Sequence, residues 1–312
     1  MKILIPNTIK LDLSESGETV LTYNAATPIP ERHLDAEVLV VWQNSADNLS
    51  DAARRMKRLK LVQTLAAGPD AVLAAGFNDL VPISSGRSLH DGPVAEHALA
   101  LVLATVRRLD VLASAQAERS WDWRYTREQA DPSSMGLYTL DGAAVTVWGF
   151  GSIAARLAPM LAALGAAVTG VATVAGERFG FPVASTDEIQ EVLRRTDVLI
   201  SLLPASPETR DALGDELLSC LPSTAVFVNV GRGATVDENA LISALRAGRL
   251  RAAAIDVMKE EPLPAASPLW TAPNLIITPH VAGNRPKESS SLVLTNISAL
   301  RENKSLRNPV AR

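Results

Sequence analysis

Three stretches in the C-terminal half set a polar side chain just after an apolar run. The run Val226–Val230 ends at Gly231-Arg232-Gly233 and is followed by Asp237-Glu238. Ala252-Ala253-Ala254-Ile255 leads into Asp256, with Glu260 and Glu261 a few residues on. Leu275-Ile276-Ile277 leads through Thr278-Pro279 to His280. If each run is a strand of an open parallel sheet, an arginine, a glutamate and a histidine arrive at the C-terminal edge, where such sheets bind ligands. Arg232 has a planar fork that can hold a carboxylate by two bonds and polarise a neighbouring carbonyl. A plain ion pair with Asp237 or Glu238 is its alternative use. An imidazole held by a carboxylate is a proton donor for an oxygen on which negative charge develops. Glu261 is the candidate carboxylate and Glu260 the alternative. His33, His90 and His97 read as structural or surface residues.

Upstream lies VTVWGFGSIAARLAPMLAALGAAVTGV, in which a strand leads into Gly149-Phe150-Gly151-Ser152-Ile153-Ala154 and then a helix. In this context the G-x-G-x-x-A pattern is a dinucleotide fingerprint. Gly149 makes the tight turn, Gly151 lets the backbone approach a pyrophosphate on the helix N-terminus, and Ala154 permits close packing. The second strand lacks the expected acid. It ends Val171-Ala172-Thr173-Val174, so nothing repels a 2′-phosphate; Thr173 could donate to one, and Arg178 lies further along. NADP is therefore preferred to NAD. Beside a nicotinamide, the strand-end residues read as machinery for hydride transfer to a ketone. His280 protonates the oxygen, Arg232 holds the substrate and Asp256 binds the carboxamide. The glycines at 231 and 233 read as open space for substrate and cofactor.

The elements that must position these residues follow a strand–helix alternation, which implies parallel sheets in an α/β fold. KILIP (2–6), EVLVVWQ (37–43) and KLVQTLA (60–66) read as strands, with Ser50 capping a short helix after it. A boundary falls near 88–93. Pro93 then opens a long apolar helix reaching past Arg107 and Arg108. Residues 117–140 are charged, carry Trp121 and Trp123, show no clean period, and read as an excursion that packs on another subunit. Strands recur at AAVTVWGF, AAVTGVA, DVLISLLP, AVFVNVG, LRAAAIDV and NLIITPH. The segment 286–312 resumes helical spacing at Leu292, Leu294, Ile297 and Leu300. The expected domains are 1–91 with 286–312, and 92–285, with 112–140 as the dimerisation excursion.

The chain has 312 residues, 47% apolar and 21% charged, with a net charge of −4. That is globular composition and argues against nucleic-acid or anionic-membrane binding. A single cysteine, Cys220, excludes a disulfide scaffold and multi-cysteine metal sites, and fits a reducing cytoplasm. No metal site is expected. The uncharged stretch Leu157–Gly176 is long enough to span a membrane, but Gly165 and Gly170 are read as breaking it into helix and strand.

VTVWGFGSIA, SLLPASPETRDALG, VNVGRGATVDENAL, AAAIDVMKEEPLP and TPHVAGN, in that order over about residues 60–285, resemble the D-isomer-specific 2-hydroxyacid dehydrogenases. The resemblance implies a flavodoxin-like substrate domain built from both chain ends and a Rossmann domain between them. It implies catalysis by Arg232, Glu261 and His280, a substrate carboxylate held by backbone N–H groups at Ala66, Ala67 and Gly68, and a homodimer. Ser152, Ile153, Leu203, Pro204, Thr209, Val230, Gly231 and Gly283 match motif positions about the cofactor. The implied activity is NAD(P)-dependent interconversion of a 2-keto acid and a D-2-hydroxy acid. The alternative is a nucleotide-sensing corepressor on the same fold. Substrate choice is expected to rest on Trp42 and Leu65, and on Trp121 or Trp123.

Overall fold

Short apolar runs, too short for buried helices, form most of the strands of this molecule. The computed structural model describes residues 1–131, 134 and 136–311. Pro132, Ser133 and Met135, within the 112–140 excursion, and Arg312, at the end of 286–312, lie outside the described residues. The chain divides into one unit of Met1–His90 with Arg285–Arg312, and another of Asp91–Asn284.

In the first unit, β1 (Lys2–Pro6), β2 (Thr19–Tyr23), β3 (Val38–Val41), β4 (Leu61–Thr64) and β5 (Ile83–Ser84) form a parallel sheet of order β2-β1-β3-β4-β5. This is the flavodoxin-like order. Alternate side chains enter two cores. Leu4, Leu39 and Val41 pack on one face, Ile3, Val38 and Val40 on the other. Burial on both faces is why these strands read as continuous apolar runs. Helix Ser289–Arg301 covers the second face with Leu292, Val293 and Ile297. Its Asn296 is fully buried and donates to Gln63 Oε1 at 2.6 Å and Ser84 Oγ at 2.9 Å, tying the helix to β4 and β5.

In the second unit the strands are β6 (Ala144–Trp148), β7 (Ala167–Ala172), β8 (Gly176–Arg178), β9 (Phe181–Ser185), β10 (Val198–Ser201), β11 (Val226–Asn229), β12 (Ala252–Ile255) and β13 (Leu275–Ile277). Their order is β13-β12-β11-β10-β6-β7-β9-β8, parallel throughout except for β8, which is antiparallel to β9 at the edge. Apart from β8 this is the doubly wound Rossmann arrangement. Its strand order reverses between β6 and β10, opening a crevice at their C-terminal ends.

Several elements differ from the sequence reading. The first helix runs Ala46–Arg55 and is capped by Ser45, whose Oγ accepts from Asn48 N at 3.2 Å; Ser50 lies inside it. The long apolar helix ends at Val106, and a second, Leu109–Ala117, follows Arg108 at φ 50. Arg108 leaves the helix to bond Asp110 and Asn274. Gly165, at φ +87, does end the helix before it, but Gly170 sits within β7. A Cβ there would lie 2.5 Å from the Phe150 ring, so the glycine makes room for that ring rather than breaking a strand. The aperiodic segment holds a helix, Trp123–Ala130, capped by Asp122. Leu65 is fully buried, so its side chain belongs to the core. Cys220 is only partly buried. Among the described residues no helix is long and apolar enough to cross a membrane.

Candidate active site

β11, β12 and β13 are adjacent and parallel, so the residues that follow them emerge at one edge. His280 Nδ1 meets Glu261 Oε2 at 2.6 Å, and the other oxygen of Glu261 accepts from Met258 N at 2.9 Å. Glu261, not Glu260, is thus the partner of the ring. The Glu261 hydrogen bond holds the His280 imidazole above its usual value of 6.5, against burial and the charge of Arg232, which push it down. Burial alone would raise the Glu261 carboxyl. The bonds from His280 and from the Met258 amide outweigh it and keep the group below the ordinary range, with help from Arg232. The cation, the acid and the imidazole are therefore electrostatically coupled in one place.

His280 itself lies at φ 50, a left-handed conformation rare for a residue with a side chain. Asp256 enforces it. Its carboxylate is fully buried and accepts from Thr278 Oγ1 at 2.6 Å, Val281 N at 3.0 Å and Ala282 N at 3.0 Å, while its carbonyl accepts from His280 N at 2.8 Å. The Thr278 hydroxyl has one proton and gives it to Asp256, so His97 Nε2, 3.1 Å from that oxygen, must be the donor to it. His97, read from the sequence as structural or surface, is part of this support. Asp256 thus builds the His280 turn, a use that its position at a strand end did not reveal.

Arg232 is set by a similar device. Buried Asn229 ends β11, accepts from Gly231 N at 3.0 Å and donates to the Arg232 carbonyl at 3.2 Å. The guanidinium donates to the Gly231 carbonyl at 2.8 Å. Asp237 caps the next helix through Asn239 N and Ala240 N, and Glu238 accepts from Lys259 N at 2.7 Å. The flanking glycines are not open space. A Cβ on Gly231 would lie 2.7 Å from Leu203 O, and one on Gly233 2.0 Å from the Met258 carbonyl carbon. Both glycines let backbone pack on backbone, from segments too distant in sequence for the motif alone to show it.

A cavity of about 630 Å³ opens beside the β6 turn, lined by Gly149, Gly151, Thr173, Leu203, Pro204 and Thr209, together with Ala172 and Arg178. Ser152, Ile153, Val230, Gly231, Asp256 and Gly283 are not on its wall. Thr209 is bound locally, donating to Pro204 O at 2.7 Å. The turn fits a dinucleotide. Gly149 has φ +96, and a Cβ there would meet Leu202 backbone at 2.8 Å. At Gly151 the space is open, and no side chain caps the twelve-residue helix Ser152–Ala163 that starts there. A pyrophosphate is the natural partner of such a helix end. In the first unit, the Ala66 N–H is taken by Thr64 Oγ1 at 3.1 Å. Among the described residues the N–H groups of Ala67 and Gly68 have no partner, so they alone of the three are available to an anion.

The geometry predicts the behaviour of the imidazole. By NMR titration His280 should gain its proton with a midpoint above 6.5, and Glu261→Gln should bring the midpoint to or below that value, because burial and Arg232 then act with less opposition. An unchanged midpoint in the variant would show that Glu261 does not control the ring.

The model of the D-isomer specific 2-hydroxyacid dehydrogenase NAD-binding domain matches residues 99–282. A glyoxylate/hydroxypyruvate reductase A of Salmonella paratyphi B is 31% identical over 89% of this chain and 86% of its own length. A D-isomer specific 2-hydroxyacid dehydrogenase from Xanthobacter autotrophicus Py2, solved with NADPH and MES, aligns with TM-score 0.81 at 28% identity over 99% of this chain and 97% of that one. An NADPH-dependent glyoxylate/hydroxypyruvate reductase from Sinorhizobium meliloti, solved with NADP and sulfate, aligns with TM-score 0.80 at 26% identity over the same shares. The chain belongs to the D-isomer specific 2-hydroxyacid dehydrogenase family, NAD(P)-dependent oxidoreductases that interconvert 2-keto acids and D-2-hydroxy acids.

Proposed function

We propose that this chain is an NADPH-dependent reductase of short 2-keto acids of the glyoxylate and hydroxypyruvate kind. The observation that carries the reading is the 2.6 Å His280–Glu261 pair within the field of Arg232 at one sheet edge. The names of the similar reductases support the substrate class.

The reduced nicotinamide, when bound, supplies the hydride. Arg232 holds the substrate carboxylate and draws charge toward the adjacent carbonyl. His280, whose protonated form Glu261 favours, delivers its proton to the carbonyl oxygen as negative charge grows there. Glu261 keeps Nδ1 engaged, so the proton leaves from Nε2, and Asp256 holds the turn that aims the ring. No acid directly follows β7 to repel a 2′-phosphate; the carboxylate that does line the cavity, Glu208, comes from the Pro207–Thr209 turn. Arg178 lines the same cavity, and its guanidinium bonds only the Phe150 and Val174 carbonyls, at 3.5 and 3.2 Å, with no carboxylate pairing among the described residues. A cation satisfied by neutral carbonyls keeps its charge for a phosphate, which supports NADPH over NADH. The single cysteine is in keeping with a reducing cytoplasm.

Two indoles support self-association. Trp121 and Trp123 are 74% and 62% exposed, with centroids 6.0 Å apart, on a segment rich in charge. Large exposed aromatics of this kind are enriched at interfaces, and a homodimer through this segment accounts for them. Sedimentation velocity should show a dimer that Trp121→Ala and Trp123→Ala together weaken; a monomer in the unaltered chain contradicts this.

The activity itself is tested with glyoxylate, hydroxypyruvate and phenylpyruvate, each with NADPH and NADH. NADPH should be preferred, and Arg178→Ala should raise the NADPH KM by about 10–100-fold, the loss expected for one charge-assisted contact, while the NADH KM stays nearly the same. Turnover of none of the three acids, or a strong NADH preference, overturns the proposal.

A further inference from the structure

The loop after β4 is held by contacts that the mechanism above does not use. Leu65 N–H donates to Val41 O at 2.9 Å, and Gly86 N–H donates to Ala66 O at 2.7 Å. A Cβ on Gly86 would lie 2.0 Å from Leu65 O, so the segment after β5 presses its backbone directly on the loop. The Leu65 carbonyl has a side-chain partner, His90 Nε2 at 2.7 Å. A carbonyl can only accept, so Nε2 carries the proton. The His90 ring is 5% exposed and stacks on Trp42, with centroids 5.3 Å apart and planes 22° from parallel. Among the described residues its Nδ1 has no partner. The stack and a single hydrogen bond therefore fix the ring, and the bond has one target, the peptide that opens the loop.

We propose that His90 is a positioning residue for the substrate carboxylate, acting through the Leu65 carbonyl on the unpaired N–H groups of Ala67 and Gly68. The proposal rests on the reading of that loop as a carboxylate subsite. Leu65 is fully buried, and a buried carbonyl deprived of its donor must find another. Turning the Leu65–Ala66 peptide to do so re-aims the amides that follow. His90 thus supplies direction and no chemistry, and Trp42, expected from the sequence to face substrate, is a buried plate against which the ring rests.

The test measures KM for glyoxylate, KM for NADPH and kcat in His90→Phe, which keeps the stack and removes the donor. The glyoxylate KM should rise by about tenfold or more, with NADPH KM and kcat within about twofold, since a ground-state contact to one substrate is lost. His90→Gln, whose side-chain amide can donate to the same carbonyl, should restore most of the loss. If the Phe variant does not fold, His90→Met against His90→Gln makes the same comparison. Gly68→Pro removes one of the free N–H groups and serves as the control. If Gly68→Pro leaves the glyoxylate KM unchanged, the loop is not the carboxylate subsite and the proposal falls with that reading. If it raises KM while His90→Phe does not, or if NADPH KM moves as much as glyoxylate KM in His90→Phe, the role given to His90 is wrong and the subsite stands.

Discussion

The bond between His280 Nδ1 and Glu261 Oε2 is the contact around which the rest of the second unit is arranged. It joins residues that follow different strands, so it exists only if β12 and β13 pair in one register. It also needs His280 in a conformation that a residue with a Cβ rarely adopts. Asp256 meets that cost with three hydrogen bonds to the turn from a fully buried carboxylate. The same logic recurs one strand over, where Asn229 fixes the Arg232 turn from both sides. His280 and Arg232 are therefore each carried by a turn that a buried polar residue at a strand end holds in place.

The nucleotide side obeys a steric constraint instead. Gly149, Gly170 and Gly231 each stand where a side chain would collide, with Leu202, Phe150 and Leu203 respectively. Gly149 and Gly231 let the β6 turn and the Arg232 turn crowd around the 202–203 backbone, which also walls the cavity beside the β6 turn, and Gly170 admits the Phe150 ring against β7. Proximity of cavity and catalytic edge within the second unit is thus a consequence of close backbone packing in the sheet.

Much of this was legible in the residue order, because strands buried on both faces announce themselves as apolar runs, and a parallel sheet delivers whatever follows them to one edge. β1, β3, β4, β6, β7 and β10 to β13 could be placed that way. The edge strands β2 and β8 could not, being partly exposed and mixed in composition, and β5 has only two residues. The break at Arg108 was hidden because one of the side chain's partners there, Asn274, lies far along the chain. At the candidate site, the delivery of Arg232, Glu261 and His280 to one sheet edge could be expected from their position after strands. The work of Asn229, local to its turn and dependent on the turn geometry, could not, and neither could that of His97 and His90, since each of these two acts on a partner that only the fold brings near. For the same reason Gly231 and Gly233 were misread as space for ligands.

On the proposed function, the imidazole at the β13 edge is the proton donor of a carbonyl reduction. The most direct measurement is turnover of glyoxylate and hydroxypyruvate by His280→Ala beside its NADPH dissociation constant. A fall in kcat of about 10²–10⁴-fold, the usual contribution of a positioned acid, is expected with cofactor affinity preserved. Turnover near that of the unaltered chain, with NADPH still bound, would contradict it.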